Sequence, residues 1–134
     1  MIYVDSWVWV GFFSKRGRWK KANHFVEHLT HEKGVVSSIG LTEIRYVFLS
    51  KYDKETADQI TYTVESFKNL EIIPVTADIA TYAADLHNKY YQKGDKISYR
   101  GGIHLATAIL TGCTMFYSGN RDFKNVDEID TEII

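Results

Sequence analysis

Short apolar runs alternate along this chain with longer segments in which apolar residues recur every three or four positions. Five runs rich in β-branched and aromatic residues predict strands, at residues 2–5, 35–36, 70–75, 114–118 and 131–134. The longer segments predict helices at residues 19–32, 41–48, 53–67 and 80–90, and another helix from the N-cap Ser98 to about residue 111. Pro74 indicates that the third strand ends there or lies at a sheet edge.

This alternation predicts an α/β domain with a mainly parallel central sheet of about five strands and helices on both faces. No repeat or Gly/Ser linker divides the sequence, so residues 1–134 are expected to form a single domain. Ligands of such sheets bind beyond the carboxyl ends of strands, where the strand order reverses. Asp5 follows the first strand and residues 119–122 follow the fourth, so both would line one crevice if these strands are neighbours.

Composition narrows the possible functions. The 16 Lys and Arg residues nearly balance the 17 Asp and Glu residues, so a protein that coats polyanions is excluded and any nucleic-acid contact must be local. The single cysteine, Cys113, excludes an internal disulfide, favours a buried structural role and fits a reducing, cytoplasmic location. The apolar run at residues 7–13 is too short to span a bilayer, so no membrane contact is expected.

Three carboxylates are candidates for chemistry: Asp5 and Asp122 follow strands, and Glu43 lies on the helix after the second strand. Carboxylates that meet in one crevice suit Mg2+ or Mn2+, which prefer oxygen ligands. Such an ion can activate water for attack on a phosphodiester. Taken singly, each residue is better explained as a turn, a cap or a solvated charge, and only the three together at strand ends weaken that explanation.

Four segments carry a resemblance to a known family: Ile-Tyr-Val-Asp-Ser at 2–6, Leu-Thr-Glu-Ile at 41–44, Gly-Ile-His-Leu-Ala-Thr-Ala at 102–108 and Ser-Gly-Asn-Arg-Asp-Phe at 118–123. In this order and spacing the chain resembles the PIN-domain nucleases, in particular the VapC-type toxins of toxin–antitoxin pairs. The resemblance implies a Rossmann-like three-layer fold and a Mg2+- or Mn2+-dependent endoribonuclease, commonly a homodimer held inactive by an antitoxin.

The resemblance also assigns roles to individual residues. Asp5, Glu43 and Asp122 match acidic positions of the family and would be the catalytic metal ligands. Ser118 matches a hydroxyl position that holds the site in shape. Asn120 stands where many members have aspartate and would hydrogen-bond to waters on the metal.

Gly101 departs from the family pattern, because an aspartate is expected there. The third residue of a helix that begins after Ser98 is also a position where an acid would complement the helix dipole. Losing one of four carboxylates should weaken metal binding, so a poorly active or inactive nuclease is predicted. The alternatives are a catalytically silent PIN-like module that binds RNA or a protein, and a purely structural dimeric scaffold.

A basic segment follows the first strand. Lys15, Arg16 and Arg18, with Trp19 among them, are candidates to hold an RNA backbone and stack a base. The same charges are equally typical of a solvated face, and they could instead meet an acidic antitoxin tail.

Histidines and tryptophans are the remaining candidates for metal binding, catalysis or contact with a partner. His24, His28 and His31 recur at helical spacing, but a solvated helix face explains them better than a metal site. His104 is expected to be a hydrogen-bonded core or interface histidine rather than a catalytic base. Trp7 and Trp9 cannot share one helix face, so one of them is expected to remain for a dimer or antitoxin surface.

Overall fold

A computed structural model describes residues 1–17 and 19–134 of the chain. Arg18, one of the predicted RNA contacts, lies outside the described residues. The strands are β1 (Ile2–Val4), β2 (Gly34–Ser37), β3 (Leu70–Ile73), β4 (Met115–Ser118) and β5 (Asp130–Ile133). The helices are α1 (Ser6–Ser14), α2 (Trp19–Glu27), α3 (Ser38–Lys51), α4 (Lys54–Glu65), α5 (Ala77–Gln92) and α6 (Tyr99–Leu110), and short 3-10 turns lie at His28–Thr30 and Arg121–Phe123.

The five strands form one sheet in the order β3-β2-β1-β4-β5, and every pair is parallel. Strand β1 lies at the centre, with Ile2 opposite Gly34 of β2 and opposite Met115 of β4. The order reverses at β1, because the chain proceeds to one side through β2 and β3 and returns to the other side for β4 and β5. The first and fourth strands are therefore neighbours, which meets the condition stated above for their carboxyl ends to border one crevice.

Two separate cores lie on the two faces of the sheet. Side chains alternate across β1, so Ile2 and Val4 enter one core while Tyr3 enters the other. The first core contains buried residues of α1, α2, α3 and α4, and the second contains buried residues of α5 and α6. This arrangement is the predicted three-layer α/β fold with helices on both faces.

Helix α1 was absent from the sequence prediction. Residues 7–13 are apolar throughout, so they show no helical stripe. Asp5 caps the helix by accepting a hydrogen bond from the Ser6 backbone N–H, and Lys15 ends it in the left-handed conformation, with φ of 54°. Trp9 is fully buried and donates its indole N–H to the Val4 carbonyl, whereas Trp7 is half exposed. Trp9 thus lies in the protein core and Trp7 lies partly at the surface, as expected for two residues that cannot share one helix face.

Several local predictions are confirmed with small shifts. Helix α2 ends at Glu27, earlier than predicted, and a 3-10 turn continues it to Thr30. Strand β3 lies at a sheet edge and ends directly before Pro74, and Ser98 caps α6. Cys113 is buried in the second core. No helix among the described residues is long and apolar enough to cross a lipid bilayer.

Helix α6 packs closely against α5 because Gly102 has no side chain. A Cβ atom added there would lie 2.7 Å from the Ala83 carbonyl oxygen, which is backbone and cannot move aside as a side chain can. This contact fixes the position of α6, the helix that carries Gly101 and His104 to the site.

We therefore expect Gly102→Ala to lower the free energy of unfolding by about 1–2 kcal/mol, because overpacking outweighs the better helix propensity of alanine. Urea denaturation would measure the change. The matched control is Gly101→Ala, where the added Cβ would meet only side-chain atoms at 3.1 Å or more and the loss should be smaller. Equal stability of the two variants would contradict this account of helix packing.

The segment after β4 is held to α5 by Glu128. Its carboxylate accepts hydrogen bonds from the Lys89 ammonium at 2.8 Å and from the Tyr90 hydroxyl. Burial raises the pKa of Glu128, but the hydrogen bonds from Lys89 and Tyr90 outweigh burial, so the pKa lies below its ordinary value. The folded state therefore favours the ionised form of Glu128. This preference stabilises the protein at pH values above the ordinary pKa of glutamate.

This stabilisation should be lost as the pH falls through the lowered pKa of Glu128. At pH 7 we expect Glu128→Gln to lower the free energy of unfolding by about 1 kcal/mol. The difference between the two proteins should shrink towards zero in acid, below about pH 4. Chemical denaturation across this range would test the prediction, with the exposed Glu65→Gln as the control. A difference that persists in acid would show that the effect is not electrostatic.

Candidate active site

Asp5 lies at the carboxyl end of β1 and is 1% exposed. Its Oδ1 accepts hydrogen bonds from the Ser6 backbone N–H at 2.8 Å and from the Ser6 hydroxyl at 3.3 Å. Its Oδ2 accepts a hydrogen bond from the Ser118 hydroxyl at 2.6 Å, across the β1–β4 pair. These donors offset the loss of hydration that burial of a carboxylate entails.

Glu43 reaches the same place from α3. Ser37 ends β2 and caps α3, accepting from the Ile39 backbone N–H, so the first turns of α3 rise from the sheet beside β1. Glu43 Oε1 accepts hydrogen bonds from the Ser6 hydroxyl at 3.2 Å and from His104 Nε2. Since Ser6 contacts both carboxylates, Asp5 and Glu43 are close neighbours, as the sequence predicted.

His104 supplies the third side chain of this cluster, from α6. It is 2% exposed, and its Nε2 lies 3.5 Å from Asp5 Oδ1 as well as contacting Glu43. Its Nδ1 shares a hydrogen bond of 2.6 Å with the Tyr3 hydroxyl, which also accepts from the Ser37 backbone N–H. The prediction of a hydrogen-bonded core histidine is confirmed, but its place beside both carboxylates was missed.

Charge pairing shifts two pKa values in this cluster. Burial lowers the pKa of His104, but Asp5 and Glu43 outweigh burial, so the pKa is raised above its ordinary value. Burial raises the pKa of Glu43, but the hydrogen bond and charge of His104 and the charge of Arg100 outweigh it, so that pKa is lowered. The Arg100 guanidinium lies 3.9 Å from Glu43 Oε2. A cationic group is therefore already present beside Glu43.

The segment after β4 contributes Ser118 and Asn120. Ser118 is fully buried; its hydroxyl binds Asp5 and accepts the Asn120 backbone N–H at 2.9 Å. Asn120 caps the following turn by accepting the Asp122 backbone N–H through Oδ1. Ser118 thus contacts Asp5 directly, and its role of holding the site in shape stays a prediction. Asp122 is half-buried on that turn and does not line the cavity described next.

A cavity of about 300 Å³ opens over these groups. Its walls include Asp5, Glu43, His104, Asn120 and Gly101, and its rim includes Trp7, Tyr46 and Arg100. Gly101 is the third residue of α6, as predicted, and its backbone N–H donates to the Ser98 hydroxyl at 3.0 Å. The position where an acid was expected therefore lines the same cavity as Asp5 and Glu43.

Among the described residues, the cavity contains only a few oxygen atoms that could bind a divalent cation. In residues 1–17 and 19–134, no three His, Cys, Asp or Glu side chains are grouped so that they could hold a metal ion. Asp5 and Glu43 do meet, and the Asn120 amide borders the same cavity. Mg2+ is often bound by one or two carboxylates together with substrate phosphates and water, so this donor set fits a weak magnesium site. The metal roles of Asp5, Glu43 and Asp122 stay predictions.

The basic segment is only partly placed at this site. Arg16 borders a second cavity, next to the first, whereas Lys15 is an exposed residue that ends α1. His24 lies on α2, whereas His28 begins the 3-10 turn and His31 follows it. His28 Nδ1 shares a hydrogen bond of 2.9 Å with the Tyr117 hydroxyl, His24 and His31 are exposed, and the described residues contain no metal-binding group of three such side chains.

Comparison with known proteins identifies the family of this chain. A family model described as the PIN domain matches residues 2–129. This chain belongs to the PIN domain family. No curated protein sequence matches it.

Solved structures share the PIN domain fold. VapBC2 from Rickettsia felis, bound to a DNA fragment from its promoter, is 24% identical, with 99% of this chain and 98% of that chain covered and a TM-score of 0.79. VapC20 of Mycobacterium tuberculosis, described as a sarcin-ricin loop cleaving toxin, is 16% identical, with 97% and 99% covered and a TM-score of 0.77. A toxin–antitoxin complex from Klebsiella pneumoniae is 21% identical, with 100% of both chains covered and a TM-score of 0.74.

The charge cluster of this PIN domain predicts a strong dependence of stability on His104. His104→Phe keeps an aromatic ring but removes the donor to Glu43, so two carboxylates would lie close together without their buried partner. We expect a loss of about 3 kcal/mol in the free energy of unfolding, measured by urea denaturation.

Two further variants separate electrostatics from packing. Adding Glu43→Gln to His104→Phe should restore part of the loss, because one of the two facing charges is then removed. The control His87→Phe, at a partly buried histidine that hydrogen-bonds to the Ile97 carbonyl, should cost less. No recovery in the double variant would indicate that ring packing, rather than charge, explains the loss.

Proposed function

We propose that this PIN domain is a divalent-metal-dependent endoribonuclease of the VapC type, with low activity because Gly101 replaces an acid. One observation supports the proposal above the others: Asp5 and Glu43, from different elements, meet at a cavity where the strand order reverses. Parallel α/β sheets bind their ligands at this position.

Asp5 and Glu43 are the residues that would hold Mg2+ or Mn2+, with Asn120 bordering the same space. When bound, such an ion activates a water molecule and offsets charge on the phosphodiester. Asp122 lies on the adjacent turn at Arg121–Phe123, and we propose it as a third ligand because it matches an acidic position of the family.

The chain's own residues prepare this site by restraining the carboxylates. Ser6 and Ser118 bind Asp5 from two directions and keep its oxygens from rotating. Glu43 Oε1 is occupied by hydrogen bonds from Ser6 and His104, which leaves Oε2 for another partner. Arg100 lies near that oxygen, where its charge suits a phosphate group bound in the cavity.

The absence of a carboxylate at position 101 should weaken metal binding further. Each lost carboxylate removes charge that offsets the stripping of water from Mg2+. An aspartate there would need small shifts of its neighbours, since its Cβ would lie 3.1 Å from Ile97 and 3.2 Å from Phe123, both buried side chains, but it would meet no backbone atom among these nearest contacts.

Partners follow from the same proposal. Structures that share the fold include VapBC2 and a toxin–antitoxin complex, and VapC20 is described as a sarcin-ricin loop cleaving toxin. We accordingly propose an RNA substrate, a cognate antitoxin and a homodimeric assembly for this chain. Lys15, Arg16 and Arg18 are the proposed substrate contacts, held to the RNA by phosphate charge.

The test is RNA cleavage with and without Mg2+ or Mn2+. We expect Gly101→Asp to cleave about tenfold faster than the natural chain or more, because a further carboxylate strengthens metal binding. Asp5→Asn should abolish both cleavage and the binding of Mn2+ measured by calorimetry. The control is Asp85→Asn, which changes an exposed carboxylate of α5.

The outcomes separate the candidate functions. Equal cleavage by the natural chain and Gly101→Asp would show that Gly101 does not limit activity. RNA binding without cleavage or Mn2+ binding, in both proteins, would instead favour the silent binding module.

A further inference from the structure

A second cavity, of about 630 Å³, adjoins the carboxylate cavity. Trp7 and Asn120 border both spaces, so they form the boundary between them. The second cavity is also bordered by Arg16, from the segment after α1, and by Arg121, from the turn after β4. It therefore combines an aromatic ring and two cationic groups next to the proposed site of cleavage.

Trp7 is available for contact with a ligand. It is 50% exposed, whereas Trp9, two residues later on α1, is fully buried. None of the ring contacts among the described residues involves Trp7, while Trp9 packs against Phe12, Phe13 and Phe67.

The Trp7 side chain packs closely at its Cβ atom. A Cβ atom added to Gly119 would lie only 3.1 Å from the Trp7 Cβ. Glycine at 119 thus permits close approach of the Trp7 stem to the segment that carries Ser118 and Asn120. A large ring that starts from this packed Cβ and is left half exposed has a face available for stacking.

The two arginines are available as well. Of the described arginines, Arg45 contacts Asp58 at 2.6 Å and Arg100 lies near Glu43. Neither Arg16 nor Arg121 has a carboxylate partner in the described part of the chain, and both are exposed. Arg121 also borders an adjoining groove together with Lys21 and Lys124, so positive charge continues away from the site.

We propose that Trp7 stacks an RNA base next to the scissile phosphate, while Arg16 and Arg121 bind the flanking phosphates. This inference rests on the proposed function, and it assigns to Trp7 the stacking role that the sequence suggested for Trp19. Aromatic rings bind the faces of unpaired bases, and guanidinium groups bind phosphate oxygens through paired hydrogen bonds. An acidic peptide would use the arginines but would have no need of an exposed ring face beside the carboxylates.

Binding of labelled single-stranded RNA, followed by fluorescence anisotropy in EDTA, tests this without cleavage. The two probes are an oligouridine octamer and an abasic oligoribonucleotide of the same length, which carry equal charge. Trp7→Ala and Trp7→Leu should each weaken oligouridine binding about fivefold or more, the lower end of the range for base–aromatic stacking. Both should leave abasic RNA binding nearly unchanged, and Trp7→Phe should retain most of the affinity.

The arginine variants should behave differently. Arg16→Ala and Arg121→Ala should weaken both probes alike, and each should reduce the slope of log affinity against log salt by about 0.7. Tyr62→Ala is the control, because Tyr62 is 74% exposed and borders a different groove, with Phe67 and Asn69.

Three results would overturn the proposal. Equal effects of Trp7→Ala on both probes, or no effect, would exclude stacking while leaving RNA binding and the proposed function intact. Loss of polyglutamate binding in the Trp7 and arginine variants, with RNA binding retained, would assign the surface to a protein partner. If the natural chain binds neither probe, the proposed function itself fails and the inference fails with it.

Discussion

Burial of the Asp5 carboxylate is the constraint around which the rest of the site is arranged. A charged group that is 1% exposed must be met by donors or cations, and here they come from three other parts of the chain. Ser6 begins α1, Ser118 ends β4 and His104 lies on α6. The central position of β1 makes this possible, because helices from both faces and both neighbouring strands reach its carboxyl end.

The two adjacent glycines of α6 have opposite consequences. Gly102 is required by packing, since any side chain there would collide with the backbone of α5. Gly101 meets only side-chain atoms and borders the cavity, so packing alone does not demand it. The cavity beside Gly101 holds two carboxylates, Asp5 and Glu43, which contact His104, and Arg100 lies near Glu43. The two glycines thus differ in the kind of atom that an added Cβ would meet first, which is backbone at position 102 and side chain at position 101.

The net charge is near zero, but the charged residues are paired in one region of the protein and unpaired in another. Acidic residues near the C-terminus are partly neutralised, because Lys89 contacts both Asp127 and Glu128 and Lys93 contacts Asp127. Near the carboxylate cavity, by contrast, Arg16 and Arg121 face solvent without a described carboxylate partner. The paired charges connect the segment after β4 to α5. The two arginines without such a partner remain able to bind phosphate.

Much of this protein was predictable from local pattern. Periodicity located all five strands and five of the six described helices, and Ser98 was identified as a cap, because each depends on residues a few positions apart. Helix α1 was missed since it is apolar on every side, buried on its inner face and covered by α2 on another. The pairing of Asp5 with Glu43 was predicted from strand ends and the family resemblance.

Other features of the site required the tertiary structure. His104 lies 99 residues after Asp5, and nothing in its local sequence distinguishes a core histidine from one that joins two carboxylates. Trp7 and Arg121 are likewise brought to one cavity only by the pairing of β1 with β4. The sequence by itself determined where the chain forms most of its helices and strands, because the buried face of each element requires apolar residues at a regular spacing within a short segment. Which side chains share a cavity was decided by sheet order and helix packing, which join distant residues.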